Sequence, residues 1–367
     1  MKKNYLLYSF ISITLVITIV SLVSNDKEFS ELENRNLKTN VTFSFKDFLN
    51  GSFQENYEKY INDQFPIRDK WISLKSISEY ALGKIENNGI IYGENGKLFE
   101  KFDLLNEERL INNIETIKNF GERYKGKVSL MVIPNSYEIY KESLPLGSPQ
   151  IMQEKIIDEI YKYSSYTNNV DLMKELINNK EKYIYYNTDH HWTTYGAYLG
   201  YCGFISSIGG NAISLDEFEK VELSGFYGTY YSKSKPFNIN SDILTYYKFN
   251  DLTLELVGDK IYDSIYDYSK ENLRDKYALF LYGNNPLTII KNNAIKNDKK
   301  ILVIKDSFAN SLIPFLTQNY EEIHVVDLRS FSSKLSEYLD ENTFDNILIL
   351  YNFINLSTEN TILKLKY

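Results

Sequence analysis

The sequence contains few of the residues that form disulfides and metal sites. Its 367 residues include one cysteine, three histidines and two tryptophans, and the single cysteine, Cys202, excludes an internal disulfide. The formal net charge is −8, and no basic run is long enough to neutralise a phosphate backbone, so we expect no nucleic-acid partner. A phosphate-binding loop and a dinucleotide fingerprint are also missing, and we therefore expect no cofactor.

A long apolar run lies at the N-terminus. Residues Tyr5 to Val23 are uncharged and approach the roughly 20 residues that cross a bilayer as a helix. Lys2 and Lys3 precede the run, which predicts a cytoplasmic N-terminus and a chain that continues outside. A cleaved signal peptide is the competing interpretation, but no clean small-residue cleavage site follows. We predict a single-pass transmembrane signal anchor over residues 1–24, with the rest of the chain outside the cytoplasm.

The remaining sequence is expected to form two segments. Residues 25–104 contain a polar stalk, two helical stretches broken at Pro66 and a hairpin with an Asn-Gly turn, which we expect to pack on the main domain. From residue 105, helices alternate with continuously apolar strands, which indicates a mostly parallel sheet with helices on both faces. We predict an α/β domain over residues 105–367, with an irregular insertion at about 210–271. The predicted strands are "KVSLMVI", "KYIYYNT", "YALFLYG", "KKILVIKDS", "EIHVVDL" and "NILILYN".

The stretch "NTDHHWTTYGAY", residues 187–198, contains two of the three histidines, one of the two tryptophans and an aspartate. In an extended segment alternate side chains share a face, so Asp189 and His191 are expected to point together, away from His190 and Trp192. An acid that orients an imidazole is the pair required beside a serine nucleophile. The alternative is structural: Asp189 would bond turn amides and the histidines would pack on Trp192.

The sequence also contains a candidate nucleophile for the Asp189–His191 pair. In "ILVIKDSFANSLIPFL" an apolar strand, a polar turn and an amphipathic helix follow one another, and Ser307 falls at the turn. Proteins of the α/β class place their sites at the carboxyl ends of strands, where the free amides of a helix's first turn can stabilise an oxyanion. The alternative is that Ser307 or Asp306 only caps the helix.

Together these stretches resemble a known family. "TDHHWTTYGAY", with "NDQFPIRDKW" upstream and "KDSFANSLIPFL" and "VVDLRSF" downstream, is similar to the bacterial DHHW protein family. That family is similar to the SGNH-hydrolase-like domain of alginate and other exopolysaccharide O-acetyltransferases. The resemblance implies an SGNH-hydrolase-like fold with a permuted motif order, in which Asp189 and His191 serve as acid and base and Ser307 as nucleophile.

Residues that contact substrate or an oxyanion are less clearly marked by the sequence. Asn135, after "LMVIP", and Asn284, in "LYGNNP", are candidates because each follows a predicted strand. His190 and Trp192 are candidates to line the site. Arg329 in "VVDLRSF" either offers donors to a carboxylate or an oxyanion, or forms an ion pair with a neighbouring aspartate.

The leading hypothesis is a membrane-anchored serine acyl-enzyme that acts on acyl esters of a cell-envelope or secreted polysaccharide. Transfer to a sugar would make it an O-acetyltransferase, and transfer to water an acetylesterase, with the same residues. Because the acetyl donor must appear outside the membrane, the resemblance implies a membrane-bound O-acyltransferase partner. One alternative is a non-catalytic glycan-binding or assembly protein.

The other alternative is a metal-dependent hydrolase that uses Asp189, His190 and His191 or the distant His324. Zinc sites need three well-placed protein ligands and an open position. Adjacent histidines on opposite faces suit that geometry poorly, so we expect no resident metal.

Overall fold

The computed structural model describes residues 4–367 of the chain. These residues form two compact units. The first unit runs to Asn87 and includes Ser232–Asn238, and the second comprises Asn88–Tyr231 and Ile239–Tyr367. The second unit contains all of the residues that the sequence marks as candidates for chemistry, since each of them lies between residues 135 and 329.

The first unit is mainly helical. Its elements are α1 (Tyr5–Val23), β1 (Phe29–Ser30), β2 (Arg35–Asn36), α2 (Phe45–Leu49), α3 (Ser52–Asp63), α4 (Arg68–Ala81) and β3 (Glu86–Asn87). Helix α1 is apolar and exposed, and its length and composition are sufficient to cross a membrane. Lys2 and Lys3, on which the predicted orientation depends, lie outside the described residues. Helix α3 ends before Pro66 and α4 begins after it, so the predicted break is confirmed.

The rest of the chain alternates helices and strands. Its helices are α5 (Glu107–Arg123), α6 (Ser136–Ile139), α7 (Gln153–Tyr163), α8 (Met173–Asn178), α9 (Thr194–Ser207), α10 (Thr229–Ser234), α11 (Ile313–Leu316), α12 (Leu335–Glu341) and α13 (Phe353–Thr358). Its strands are β4 (Ile90–Tyr92), β5 (Leu98–Glu100), β6 (Val128–Ile133), β7 (Asn168–Asn169), β8 (Lys220–Phe226), β9 (Asp242–Tyr247), β10 (Leu252–Leu256), β11 (Ile261–Tyr262), β12 (Leu287–Asn292), β13 (Lys300–Lys305), β14 (Glu322–Val326) and β15 (Asn346–Asn352).

An eight-stranded mixed sheet with the order β11-β10-β12-β14-β13-β15-β6-β7 forms the centre of the second unit. Strands β14, β13, β15, β6 and β7 are parallel, whereas β12, β10 and β11 extend the sheet antiparallel. Strands β13 and β15 are almost completely buried, while β10 alternates between buried and half-buried positions, as expected at an antiparallel edge. The predicted α/β fold is confirmed, with an antiparallel edge that the apolar pattern did not reveal.

Two of the predicted strands are wrong. "YALFLYG" forms a 3-10 turn at Tyr277–Leu279 followed by left-handed backbone at Leu281, and the strand of this region is β12. "KYIYYNT" has left-handed backbone at Tyr183 and forms a single bridge, between Tyr185 and Trp192. Both stretches are largely buried, and an apolar run does not by itself distinguish a buried strand from a buried loop.

The carboxyl ends of β6, β15 and β13 lie side by side, because these strands are parallel neighbours. Asn352, the last residue of β15, connects the three ends. Its side-chain amide donates to the carbonyl of Ile133 at 3.1 Å, and its backbone N–H donates to the Asp306 carboxylate at 2.7 Å. This edge of the sheet positions the candidate site.

Candidate active site

The turn after β13 holds Ser307 at the carboxyl edge of the sheet. Asp306, and not Ser307, caps the turn: its Oδ1 accepts from the backbone N–H of Phe308 at 2.9 Å. Its Oδ2 accepts from the backbone N–H of Asn352 and from the side chain of Asn355 at 2.7 and 2.8 Å. The Ser307 hydroxyl is therefore available for other contacts, and the Ser307 backbone N–H has no acceptor within residues 4–367.

A bent segment brings the acid and the imidazole to this serine. His191 Nδ1 lies 2.5 Å from Asp189 Oδ1, and the backbone N–H of His191 donates to the same oxygen at 3.0 Å. His191 Nε2 lies 2.8 Å from Ser307 Oγ, across 116 positions of sequence. All three residues are buried. They form a continuous Ser–His–Asp chain of hydrogen bonds, the arrangement in which an imidazole can take a proton from a hydroxyl.

The position of His190 differs from the expectation of alternating faces. Residues 187–191 form successive bends and not an extended strand. The ring centroid of His190 therefore lies 3.8 Å from that of His191, and His190 Nδ1 lies 3.6 Å from Asp189 Oδ1. Its side chain is 26% exposed, so His190 lies at the rim of the hydrogen-bonded chain.

A second carboxylate, Asp242 at the start of β9, holds the segment that leads to Asp189. Asp242 Oδ1 accepts from the backbone N–H of Asn187 at 2.9 Å and from the Tyr183 hydroxyl at 2.5 Å. Its Oδ2 accepts from the backbone N–H and the hydroxyl of Thr188 at 2.7 and 2.5 Å. Asp242 was missed by sequence reasoning, because nothing local distinguishes it from other acids of the region.

The turn before α10 supports Asp189 from another side. The backbone N–H of Thr229 donates to Asp189 Oδ2 at 2.7 Å, and the backbone N–H of Gly228 donates to the Thr188 hydroxyl at 3.1 Å. A Cβ atom on Gly228 would lie 2.2 Å from Asp189 Cβ and Oδ2. Only glycine can therefore occupy position 228 while Asp189 keeps this place. The Gly228-Thr229 pair is a sequence signal by which this turn could be recognised.

Two aromatic residues fix the imidazole and the serine turn. The Tyr277 ring stacks on His191 with centroids 3.7 Å apart and planes inclined by 9°, and its hydroxyl donates to the carbonyl of Ser307 at 3.0 Å. The Trp192 indole N–H donates to the carbonyl of Phe308 at 2.8 Å. Trp192 is fully buried, so the prediction that it lines the substrate site is wrong, and it instead joins the two segments of the site.

The electrostatic environment keeps His191 uncharged, so that it can accept a proton. Burial would raise the pKa of Asp189, but the imidazoles of His190 and His191 and their hydrogen bonds hold it well below its usual range. Burial, assisted by the charge of His190, lowers the pKa of His191 to about 4 against the opposing effect of Asp189. At neutral pH the imidazole is therefore uncharged. With its Nδ1–H directed to Asp189, the lone pair of Nε2 is free to accept the Ser307 proton.

A buried lysine occupies the position before Asp306. Lys305 Nζ donates to the side-chain oxygens of Asn284 and Asn310, both at 2.7 Å, and lies 3.9 Å from Asp327 Oδ2. Burial lowers the pKa of Lys305 to about 8. The amide oxygen of Asn284 thus accepts from this lysine, and the side chain of Asn284 is one of the groups that surround Lys305.

The two remaining candidates differ in their contacts. Arg329 donates to both carboxylate oxygens of Asp327, at 2.9 and 2.6 Å, so the ion-pair alternative describes it. Asn135 follows β6, and its backbone N–H and side-chain oxygen both bond Gln153, at 2.8 and 3.0 Å. The side-chain nitrogen of Asn135 has no acceptor within residues 4–367, so this donor is available at the carboxyl edge of the sheet.

Asp189, His190 and His191 could also be considered as metal ligands, because their ligand atoms lie within 4.8 Å of one another. Both ring nitrogens of His191 are, however, engaged by Asp189 and Ser307. His324, the third histidine, contacts Glu322 and Tyr338 and is not part of this group. The residues fit a proton-transfer chain better than a metal cage, which needs three converging free ligands.

Comparison with known proteins places this geometry in context. A curated relative from Pseudomonas syringae pv. tomato, described as a probable alginate O-acetylase AlgJ, is 23% identical over 159 residues, which cover 41% of each chain. The match thus spans about two fifths of that relative's length. A solved DHHW family protein from Eubacterium siraeum has a TM-score of 0.68 and 23% identity, over 76% of this chain and 96% of the other.

Another solved structure, that of PatB1 from Bacillus cereus with a sulfonyl adduct, has a TM-score of 0.64 and 21% identity, over 76% of this chain and 98% of the other. These structural likenesses show a shared fold. The model of the family described as DHHW protein matches residues 111–326, which is more than half of the chain and includes both segments of the site. The chain therefore belongs to the DHHW protein family.

Proposed function

We propose that this protein is a serine acyl-enzyme that transfers acetyl groups to a cell-envelope or secreted polysaccharide outside the cytoplasm. The observation that carries the proposal is the chain from Ser307 Oγ through His191 to Asp189, with distances of 2.8 and 2.5 Å. Neither a helix cap nor a packing role requires a buried hydroxyl, imidazole and carboxylate in this order.

The proposed reaction follows from the protonation states. His191 Nε2 takes the proton of the Ser307 hydroxyl as the oxygen attacks the acetyl carbonyl, and the imidazolium then gives that proton to the leaving group. The acetyl group remains on Ser307 as an ester. His191 next takes a proton from the acceptor hydroxyl, whose oxygen attacks the ester, and returns the proton to Ser307 as the acetylated acceptor leaves. Asp189 holds the imidazole in the required tautomer throughout.

Two donors support the proposal that an oxyanion is stabilised here. The backbone N–H of Ser307 and the side-chain nitrogen of Asn135 have no acceptor within the described chain. Both residues follow parallel strands whose carboxyl ends lie at the same edge of the sheet. Preorganised donors of this kind each contribute roughly 10² to 10³ in rate to acyl transfer.

The acceptor and the location rest on independent support. A relative is described as a probable alginate O-acetylase, which makes a polysaccharide hydroxyl the favoured acceptor over water. The length and composition of helix α1 support a membrane anchor, and Lys2 and Lys3 in the sequence favour an enzyme on the outer side of the bilayer. Since activated acetyl groups must then cross the membrane, the proposal includes a membrane-bound acyltransferase that supplies them.

The test is covalent labelling of the intact protein. Incubation with a sulfonyl fluoride, or with an activated acetyl ester, should add one mass increment that maps to Ser307. Ser307→Ala should abolish the label and lower acetyl-ester turnover roughly 10⁴-fold or more. The exposed Ser332→Ala serves as the matched control and should label normally.

Absence of label on both the unmodified chain and the control would overturn the acyl-enzyme proposal and leave the glycan-binding or assembly alternative. Loss of turnover on chelation, with labelling unaffected, would instead favour the metal-dependent alternative.

A further inference from the structure

A cavity of about 420 Å³ lies in the second unit at the base of the segment that carries Asp189 and His191. Its walls include three tyrosines, Tyr183, Tyr195 and Tyr247, together with Lys182 and Thr193. The volume falls within the roughly 300–1,000 Å³ that is usual for small-molecule sites. None of the triad residues lines it, so it is a separate feature of the surface.

The chemistry of the walls suits a carbohydrate. Tyrosine rings provide apolar faces for the C–H faces of pyranose rings, and their hydroxyls provide hydrogen bonds at the edge. The Lys220–Glu222 ion pair adds charged groups at the cavity wall. Sugar hydroxyls can form further hydrogen bonds with this pair and with the tyrosine hydroxyls, whereas a wholly apolar ligand cannot.

The charge of Lys182 adds a preference for one class of sugar. Lys182 Nζ lies 3.4 Å from the Tyr195 hydroxyl and 5.8 Å from the centre of its ring. Within residues 4–367 it has no carboxylate partner, unlike Lys220, which is paired with Glu222. A carboxylate or phosphate on the ligand would supply the missing negative charge.

The backbone of Tyr183 fixes the position of one wall of the cavity. Its φ of 54° is left-handed, which is uncommon for a bulky residue. The conformation is held by Thr193 Oγ1, which donates to the Tyr183 carbonyl at 2.7 Å, and by the bond from the Tyr183 hydroxyl to Asp242. The Tyr183 ring is thus already positioned before a ligand binds, which lowers the entropic cost of binding.

We propose that this cavity binds a short acidic segment of the polysaccharide that Ser307 acetylates, with pyranose rings against the tyrosines and an acidic group at Lys182. The inference rests on the proposed function for the identity of the polymer. Thr193 follows His191 by two residues, so their Cα atoms are at most about 7.6 Å apart. A polymer bound in the cavity would thus lie beside the segment that carries His191.

The experiment measures binding separately from catalysis. Full-length Ser307→Ala protein in nanodiscs is titrated calorimetrically with an oligouronate of four sugars and with a neutral tetrasaccharide. The oligouronate should bind more tightly. Tyr195→Ala should weaken both ligands about tenfold through lost stacking, whereas Tyr195→Phe should retain most of the affinity.

Lys182→Ala should weaken only the oligouronate, about fivefold at low salt, which is the upper end for an exposed ion pair. The exposed Lys174→Ala is the matched control and should leave both affinities unchanged. Absence of oligosaccharide binding, or binding that is indifferent to Tyr195 and Lys182, would overturn the inference. Because labelling of Ser307 is measured without sugar, failure of the proposed acyl-enzyme would be seen separately.

Discussion

Ser307 and His191 meet at 2.8 Å, yet the two segments that carry them are held in different ways. Ser307 follows a buried strand whose neighbours on both sides are parallel, so the backbone ladder of the sheet positions the turn. His191 lies in a segment of bends with no ladder of its own. Apart from the single backbone bridge between Tyr185 and Trp192 and a few isolated backbone bonds, that segment is held by individual contacts. These are made by the Asp242 carboxylate, the Thr229 backbone N–H, the Trp192 indole and the Tyr277 ring.

This difference implies that the two segments respond differently to substitutions. A turn that continues a sheet shares its stability with many backbone hydrogen bonds, whereas a segment held by a few contacts depends on each of them. Substitutions around the His191 segment should therefore reduce activity more than they reduce stability. Four substitutions test that asymmetry.

Gly228→Ala should have the largest effect, because its new Cβ would lie 2.2 Å from Asp189. Displacement of the acid by about 1 Å should lower acetyl-ester turnover roughly 100-fold. Gly126→Ala is the control: its φ is +83° and nothing lies within 4 Å of the new Cβ, so the substitution should lower the unfolding free energy by about 1–2 kcal/mol and leave activity unchanged. Equal losses of activity in the two variants would contradict the conclusion that Asp189 keeps its place only with glycine at position 228.

Asp242→Asn should lower turnover about 30-fold while the protein stays folded. The amide retains the shape of the carboxylate but can accept through only one oxygen, so bonds to the Thr188 and Asn187 segment are lost. Each such charge-assisted bond contributes about 1.5–3 kcal/mol. Kinetic assay and thermal unfolding should be measured beside the exposed Asp259→Asn, which should match the unmodified chain. Unchanged turnover in Asp242→Asn would show that the backbone alone holds the segment.

Trp192→Phe should have a smaller effect, about fivefold in turnover, because it removes one bond between the two segments and leaves the ring packing largely intact. The unfolding free energy should fall by about 1–2 kcal/mol, since the Phe308 carbonyl loses its donor. The only other tryptophan, Trp71, is 48% exposed, and Trp71→Phe is the matched control in both assays. A larger loss of turnover in Trp71→Phe than in Trp192→Phe would contradict the role of Trp192 in joining the two segments.

His190→Gln should shift the pH profile more than the rate at neutral pH. Turnover requires neutral His191, so activity should rise with pH through a midpoint near 4 and be level by pH 7. Removal of the neighbouring imidazole charge, which lowers the His191 pKa, should move the midpoint upward. The pH dependence of kcat/KM for both proteins provides the measurement, and a downward shift would contradict the assigned electrostatics.

The same pKa shift has a consequence for stability. Because burial places the folded-state pKa of His191 below its ordinary value of 6.5, the unfolded chain binds the proton more readily. This contribution to stability is present above about pH 6.5 and is lost as the pH falls toward 4. Asp189, whose pKa is also held low, loses its contribution in the same direction.

The sequence predicts that Asp189, His191 and Ser307 meet, and the structure brings them together, but partly through a different local structure. Alternation in an extended strand brought Asp189 and His191 together, and the structure brings them together through bends. The same argument misplaced His190, which lies against His191. Arg329 and Asn284 were proposed from their positions after strands, and both are engaged by other charged groups, Asp327 and Lys305.

By itself, the sequence determined the membrane-length apolar helix, the α/β class and the position of Ser307 at a strand end. These features follow from local patterns: the length of an apolar run, the spacing of buried residues and the polar residues of a turn. The bends at 187–191, the contacts of Asp242 and Gly228 with the segment that leads to His191, and the burial of Trp192 became visible in the folded structure alone. Those depend on side chains from distant parts of the chain, whose contacts are selected by packing and hydrogen bonding in the folded protein and leave no periodic trace in the sequence.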